Sequence, residues 1–312
     1  MSKTSWVEKY RPKTVDEYVF RDEDQKAQVR EWIESGEIPH LLFHGPPGTG
    51  KTTLAKIIIN ELDIDDFDVM MMNGSKEGRK IDEFNDKLDG FTQTIPFSQY
   101  KIIFIDEADY LNLHSVQPSL RTPMVEYHHC RFILTCNYVH KIMPAIQDRC
   151  QVFKIEKQDY NEFTARVAEV LIAEEVEFDI DLLDTYVKAS YPSLRKALNV
   201  VQQNTVAGKL NMPTTSEGTV EIKTEFVNLV KQGKYRQGVE LLGKNIRQDE
   251  IEDMLVWCSD NVDMFADTDE HFFQANKIIR DAIVQIPSIA HPDIHITATV
   301  GDLLSIKGEL LH

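Results

Sequence analysis

Residues 45–52 read GPPGTGKT, directly after the apolar run HLLFH at 40–44 and directly before the helical run TTLAKIIINEL at 52–62. The pattern G-x-x-x-x-G-K-[ST] between a strand and a helix is a phosphate-binding loop, and that context is what separates it from a chance glycine-rich turn. Its glycines let backbone N–H groups turn inward at a helix N-terminus, where the helix dipole favours an anion. Lys51 then supplies a point charge to β and γ phosphates, and Thr52 offers a hydroxyl to Mg²⁺. The loop therefore predicts an α/β fold that binds ATP with Mg²⁺.

Outward from the loop, residues 101–105 (KIIFI) and 131–135 (RFILT) read as two more buried strands, short and rich in branched or aromatic residues. Alternation of such runs with helical patterns predicts a parallel sheet with crossover helices. The run IIFIDEAD at 102–109 puts Asp106 and Glu107 at the C-terminal end of a strand, where open α/β sheets bind ligands. Asp106 is expected to hold Mg²⁺ and Glu107 to polarise the attacking water. Cys136 and Asn137 follow the third strand. A neutral amide at Asn137 can hydrogen-bond a γ-phosphate without adding charge, although an Asn in a turn is also common.

Beyond residue 155 the pattern changes. Phe163, Val167, Val170 and Leu171, then Leu182, Leu183, Tyr186 and Val187, then Leu194, Leu198 and Val201 recur at helical spacing. The expected organisation is a P-loop α/β domain at 1–155, a small helical domain at 156–207, a polar linker at 208–221 (GKLNMPTTSEGTVE) and a further all-α region at 222–312. In that last region, Phe272, Ala275, Ile278, Ile279, Ala282, Ile283 and Ile286 form an apolar stripe that must bury against its own domain or a neighbouring subunit.

The chain has 312 residues, 42% apolar and 27% charged, with 34 basic and 51 acidic side chains and a net charge of −17. Residues 1–155 carry −5 of that charge and residues 156–312 carry −12. Such a balance excludes nucleic-acid binding by bulk positive charge, so a DNA contact needs a local basic patch. No apolar run approaches the ~18 residues of a membrane helix, and the N-terminus lacks the charged-then-apolar pattern of a secretory signal. A soluble, cytoplasmic protein is expected, in the host cytoplasm if the source is a phage. Cys130, Cys136, Cys150 and Cys258 form no C-x-x-C pair, which disfavours both a zinc module and a disulfide framework.

The segments WVEKYRPKTVDEYV, IPHLLFHGPPGTGKTT, IIFIDEAD, RFILTCN, IQDRC and PSLRKALN occur in this order over residues 6–202. As a set they resemble the ATPase subunits of sliding-clamp loaders, members of the AAA+ superfamily. Closest in length and wording are the replication factor C small-subunit type and its phage counterpart, the clamp-loader large subunit. The resemblance implies an AAA+ P-loop domain, a small lid and a helical collar. It also implies an ATP hydrolase that opens a DNA polymerase clamp and loads it onto primer–template DNA during replication. The implied partners are the clamp, a different loader subunit, further copies of the chain in a five-membered ring, and the DNA, with no membrane.

Residue by residue, the resemblance places Val7, Glu8, Lys9, Tyr10 and Val19 around the adenine. Gly48, Thr49, Gly50, Lys51, Thr52 and Thr53 form the phosphate loop. Asn137 matches the sensor of the γ-phosphate, Arg149 the finger that reaches a neighbour's ATP, and Arg195 the lid's second sensor. The family's Ser before the finger is Asp148 here, and this carboxylate is expected to hold Arg149 back. Lys76, Arg79 and Lys80, with Arg121, are the expected DNA contacts, holding backbone and reading shape. Gln117 is the expected link from DNA to Glu107, on a helix that Pro118 and Pro123 are expected to kink or end. Two other classes remain at this stage: another AAA+ DNA motor, such as a branch-migration or replicative helicase, and an inactive ATP-binding scaffold subunit.

Overall fold

A computed structural model describes residues 5–21, 23–77, 81–213 and 218–307. Five strands, β1 (Leu41–His44), β2 (Val69–Asn73), β3 (Lys101–Asp106), β4 (Cys130–Cys136) and β5 (Gln151–Lys154), form one sheet in the order β2-β3-β4-β1-β5. Every pairing in it is parallel, as the alternating pattern predicts. The edge strands β2 and β5 are not among the strands expected from the sequence.

Side chains alternate between the two faces of a strand. Leu41 and Phe43 join Ile102, Phe104 and Ile133 in a core completed by Val29, Trp32, Ile57 and Ile58. Leu42 faces the other way, into a second core with Ile103, Ile105, Phe132, Leu134, Phe84 and Leu120. Both faces are covered, which is why the central strands read as continuous apolar runs. The helices of this region are α1 (Trp6–Lys9), α2 (Glu23–Ser35), α3 (Lys51–Glu61), α4 (Gly74–Glu77), α5 (Ile81–Thr92), α6 (Val116–Ser119), α7 (Arg121–Glu126) and α8 (Pro144–Gln147).

From residue 160 the chain is almost wholly helical: α9 (Tyr160–Ala173), α10 (Ile180–Ser190), α11 (Leu194–Gln203), α12 (Thr219–Lys231), α13 (Tyr235–Asn245), α14 (Ile251–Asp260), α15 (Asp269–Gln285) and α16 (Pro292–Ser305). One short hairpin interrupts it, β6 (Thr205–Val206) against β7 (Lys209–Leu210). Ala207 and Gly208 turn it with φ of 52° and 75°, the backbone that tight hairpins favour. The stretch expected as a linker at 208–221 thus contributes a strand at one end and the first turn of α12 at the other. Two-residue strands are too short to show as alternation.

By density of contacts the chain divides into Met1–Arg166 with Pro192–Arg195, and Val167–Tyr191 with Lys196–His312. Within the second unit, Lys231 Nζ donates to Asp184 Oδ2 (2.8 Å), Thr185 Oγ1 (2.9 Å) and the Asp181 carbonyl (3.1 Å), tying α12 to α10. Trp257 Nε1 donates to the Lys188 carbonyl at 2.8 Å. Helix α10 is thereby fastened to α12 and α14. In the stripe of α15, Ala275, Ile279 and Ala282 are buried, and Ile278, Ile283 and Ile286 pack on the same core. All of the stripe except Phe272, which is exposed, packs within its own unit.

Candidate functional site

β1, β3 and β4 are neighbours and run the same way, so the loops after them open at one edge of the sheet. Ligands of open α/β sheets bind at that edge. The phosphate loop follows β1, Asp106 ends β3, and Asn137 follows β4.

Gly50 precedes α3 with φ 92°, a left-handed backbone in which a side chain is strained. A Cβ there would also lie 2.9 Å from the Tyr18 hydroxyl. That hydroxyl donates to the Thr49 carbonyl at 3.1 Å, and burial raises its pKa. Tyr18, between the expected adenine contacts Tyr10 and Val19, therefore braces the loop from the N-terminal segment. Nothing in the motif marks it, because the contact spans 31 residues. Val7 and Tyr10 are half-buried, Glu8 and Lys9 exposed, and Val19 half-buried. On the other side of the loop, Ser193 lies against Gly48 and Arg195 is exposed in the first turn of α11.

Lys51 is buried, and its Nζ donates to the Gly45 (2.9 Å) and Pro46 (2.7 Å) carbonyls. Burial lowers its pKa, opposed by the nearby acidic groups Cys136, Asp109 and Asp106. Thr49 is buried in the loop and Thr53 half-buried in α3. Thr52 Oγ1 donates to Asp106 Oδ1 at 2.8 Å. The same carboxylate oxygen accepts the Thr135 hydroxyl of β4. Thr135 Oγ1 in turn accepts the Glu107 N–H at 3.1 Å. One buried hydroxyl thus fixes both acidic residues.

Glu107 has φ 55° and ψ 44°. A non-glycine residue in this region costs of order 1–3 kcal/mol, and such strain gathers at functional sites. Among the described residues no group of three His, Cys, Asp or Glu side chains converges to hold a metal. A hydroxyl beside one carboxylate is instead the hard-oxygen set that suits Mg²⁺ when phosphates supply further ligands.

Gln117 is buried, but its amide does not turn to Glu107. Its Nε2 donates to the Leu111 (3.1 Å) and Lys141 (2.9 Å) carbonyls, and its Oε1 accepts the Met143 N–H at 2.8 Å. All three partners are backbone. The helix does break, at Leu120, into α6 and α7. Pro118 and Pro123 each fall in the first turn of one piece, where a missing N–H leaves no helical bond unmade. The contact with Glu107 comes instead from Gly74, the first residue of α4. A Cβ on Gly74 would fall 2.3 Å from the Glu107 carbonyl, so only glycine allows this approach.

Arg149 does not pair with Asp148. Its Nη1 donates to the Ala145 carbonyl, while Asp148 is exposed at the C-cap of α8. The last carbonyls of a helix lack intrahelical partners, and a guanidinium one turn on fills that need. Lys76 is exposed in α4 and Arg121 at the start of α7. Arg79 and Lys80 lie outside the described residues.

A further feature had no sequence signature. Phe67, Ile95 and Phe97 are 80%, 87% and 82% exposed, with the two rings 6.4 Å apart. Their loops are stitched together: Ser98 N–H donates to Asp68 Oδ2 (2.6 Å), and Asp65 N–H to Ser98 Oγ (2.9 Å). The three apolar side chains therefore stand exposed on linked loops.

Residues 41–158 match the family described as ATPase family associated with various cellular activities (AAA). The replication factor C small subunit of Archaeoglobus fulgidus is 38% identical over 251 residues, 77% of each chain. That of Picrophilus torridus is 35% identical over 247 residues, again 77% of each. Among solved structures, the Holliday junction branch migration motor RuvB of Thermotoga maritima aligns with a TM-score of 0.57 over 79% of each chain at 20% identity, a likeness of fold. Among the described residues no helix is long and apolar enough to cross a membrane. With the phosphate loop, Asp106 and Asn137 gathered at one sheet edge and this similarity along most of its length, the chain belongs to the replication factor C small subunit family and is an AAA ATPase.

Proposed function

We propose that the chain is the ATPase subunit of a sliding-clamp loader, which opens a ring-shaped clamp and closes it on primer–template DNA. The observation that carries the mechanism is the pairing of Thr52 with Asp106, which joins the phosphate loop to the acidic strand end. Thr52 and Asp106 would hold Mg²⁺, whose charge offsets that developing on the phosphates. Lys51 exchanges its loop carbonyls for the β and γ phosphates. The Glu107 carboxylate takes a proton from the water attacking the γ-phosphorus, and the Asn137 amide donates to a γ-phosphate oxygen. ADP and phosphate leave.

Arg149 completes a neighbouring subunit's site, so an isolated chain binds ATP and hydrolyses it slowly. Lys76 and Arg121, with Arg79 and Lys80, track the DNA backbone. Because most of the excess acid lies after residue 155, tight DNA binding requires several aligned copies of this patch. The exposed apolar residues Phe67, Ile95 and Phe97 fit the clamp, as aromatic side chains are enriched where protein partners meet. Five-fold ring assembly with a different subunit belongs to the same reading.

The test is ATP turnover by the chain assembled with its partner subunit, with and without clamp and primer–template DNA. Clamp and DNA together are expected to accelerate turnover well beyond DNA alone, and Phe97→Ala to remove the part due to the clamp. Unwinding or branch migration without any clamp would overturn the proposal in favour of a helicase motor. A complex whose turnover survives Glu107→Gln would make this chain a scaffold.

A further inference from the structure

Asp109 closes the IIFIDEAD run, and neither ATP chemistry nor metal binding uses it. It stands in the single 3₁₀ turn Ala108–Tyr110 just after β3. Its Oδ2 accepts two backbone N–H groups from the other side of the site, those of Asn137 (3.2 Å) and Tyr138 (3.3 Å). These are the first two N–H groups beyond β4. The sheet has no acceptor for them, because the β1–β4 ladder ends at His44 and Cys136 and the β3–β4 ladder at Ile105 and Leu134. One carboxylate oxygen thus gives both orphan donors an acceptor, with two bonds at the long end of the N–H···O range. Asp109 Oδ1 is buried and has no partner among the described residues, so the carboxylate's hydrogen bonding is directed to this loop.

We infer that Asp109 is a positioning residue for Asn137: by clamping the backbone where β4 ends, it aims the Asn137 amide at the phosphate side of the site. The segment that carries Asp106 at the end of β3 and Glu107 just after it thereby also sets the sensor. The inference rests on Asn137 as the γ-phosphate contact.

The test is single-turnover ATP hydrolysis by the assembled complex carrying Asp109→Ala, Asp109→Asn, Asn137→Ala or both alanines, with ATP affinity measured alongside. Loss of these bonds in Asp109→Ala is expected to slow hydrolysis roughly ten-fold with ATP affinity unchanged. Asp109→Asn is expected to restore most of the rate, since its amide oxygen accepts the same N–H groups. The double variant is expected to be no slower than Asn137→Ala, because coupled residues are non-additive. Additive losses would overturn the positioning role. An Asn137→Ala complex with full activity would overturn the assignment of Asn137 instead. A second measurement needs no variant: amide exchange at Asn137 and Tyr138 is expected to be slow, and fast exchange at both in the folded protein would also overturn the inference.

Discussion

The Thr52 hydroxyl and the Asp106 carboxylate, 54 residues apart in sequence, meet at 2.8 Å, so the first turn of α3 and the end of β3 share one hydrogen bond. Both oxygens are those the chemistry assigns to Mg²⁺. Thr52→Val keeps the shape and deletes the ligand. Its expected effect is a loss of roughly 10-fold or more in Mg²⁺ affinity, with metal-free ATP binding preserved. Nucleotide titrations with and without a chelator separate the two, and equal losses in both would count against the assignment.

Thr135 offers a second test at the same carboxylate. Valine in its place leaves no cavity but strips a donor from Asp106 and the acceptor from the Glu107 N–H. Leaving a buried group unpaired costs about 1–3 kcal/mol, so Thr135→Val should lower stability to urea by that amount and slow hydrolysis. Thr135→Ser should recover both. Rates that stay low in the serine variant would point to packing, not to the hydroxyl.

Arg149 rests on the Ala145 carbonyl of its own chain. To serve a neighbour's ATP it must leave that carbonyl, a bond worth of order 1–3 kcal/mol. Arg149→Ala should therefore leave ATP affinity of the single chain within a few-fold and reduce turnover of the assembly by roughly 10³ to 10⁵. A mutant assembly with normal turnover would remove the finger role.

In the helical unit Lys223 is 7% exposed, with its Nζ 5.4 Å from the Trp257 ring centre. Burial is the main cause that brings its pKa down to about 8, helped by Lys196 and opposed by Cys258, Asp253 and Asp260. Between about pH 8 and 10.5 the unfolded chain keeps a proton that the folded chain has released, so stability rises with pH across that window. Below about pH 8 the burden is fully present, about 3 kcal/mol before the ring's attraction is set against it. Lys223→Met should accordingly stabilise the protein by about 2 kcal/mol at pH 7, with the gain fading toward pH 10.5. Thermal melts at both pH values decide it, and a destabilised variant at pH 7 would show that the lysine is better paired than its burial implies.

The sequence by itself determined the chemistry. GPPGTGKT, IIFIDEAD and RFILTCN are contiguous because a phosphate cradle, a metal carboxylate and a sensor each need neighbouring backbone and side-chain groups at fixed short spacing. It also determined the three central strands, whose burial on both faces demands unbroken apolar runs. Only the tertiary structure decided what depends on pairing distant segments. The order β2-β3-β4-β1-β5 sets β1 beside β4 and one strand from β3, which brings Thr52 to Asp106 and lets Thr135 bridge two acids. Strand β5 (QVFK) was hidden because only Phe153 of its four residues is buried, while the Val69–Met72 run of β2 shows as a strand only once it pairs with β3. Tyr18 under the loop, Gly74 against Glu107, Arg149 on Ala145 and the Phe67–Ile95–Phe97 surface carry no motif. Each exists only because folding fixes which backbone groups still need partners and which apolar groups find no core.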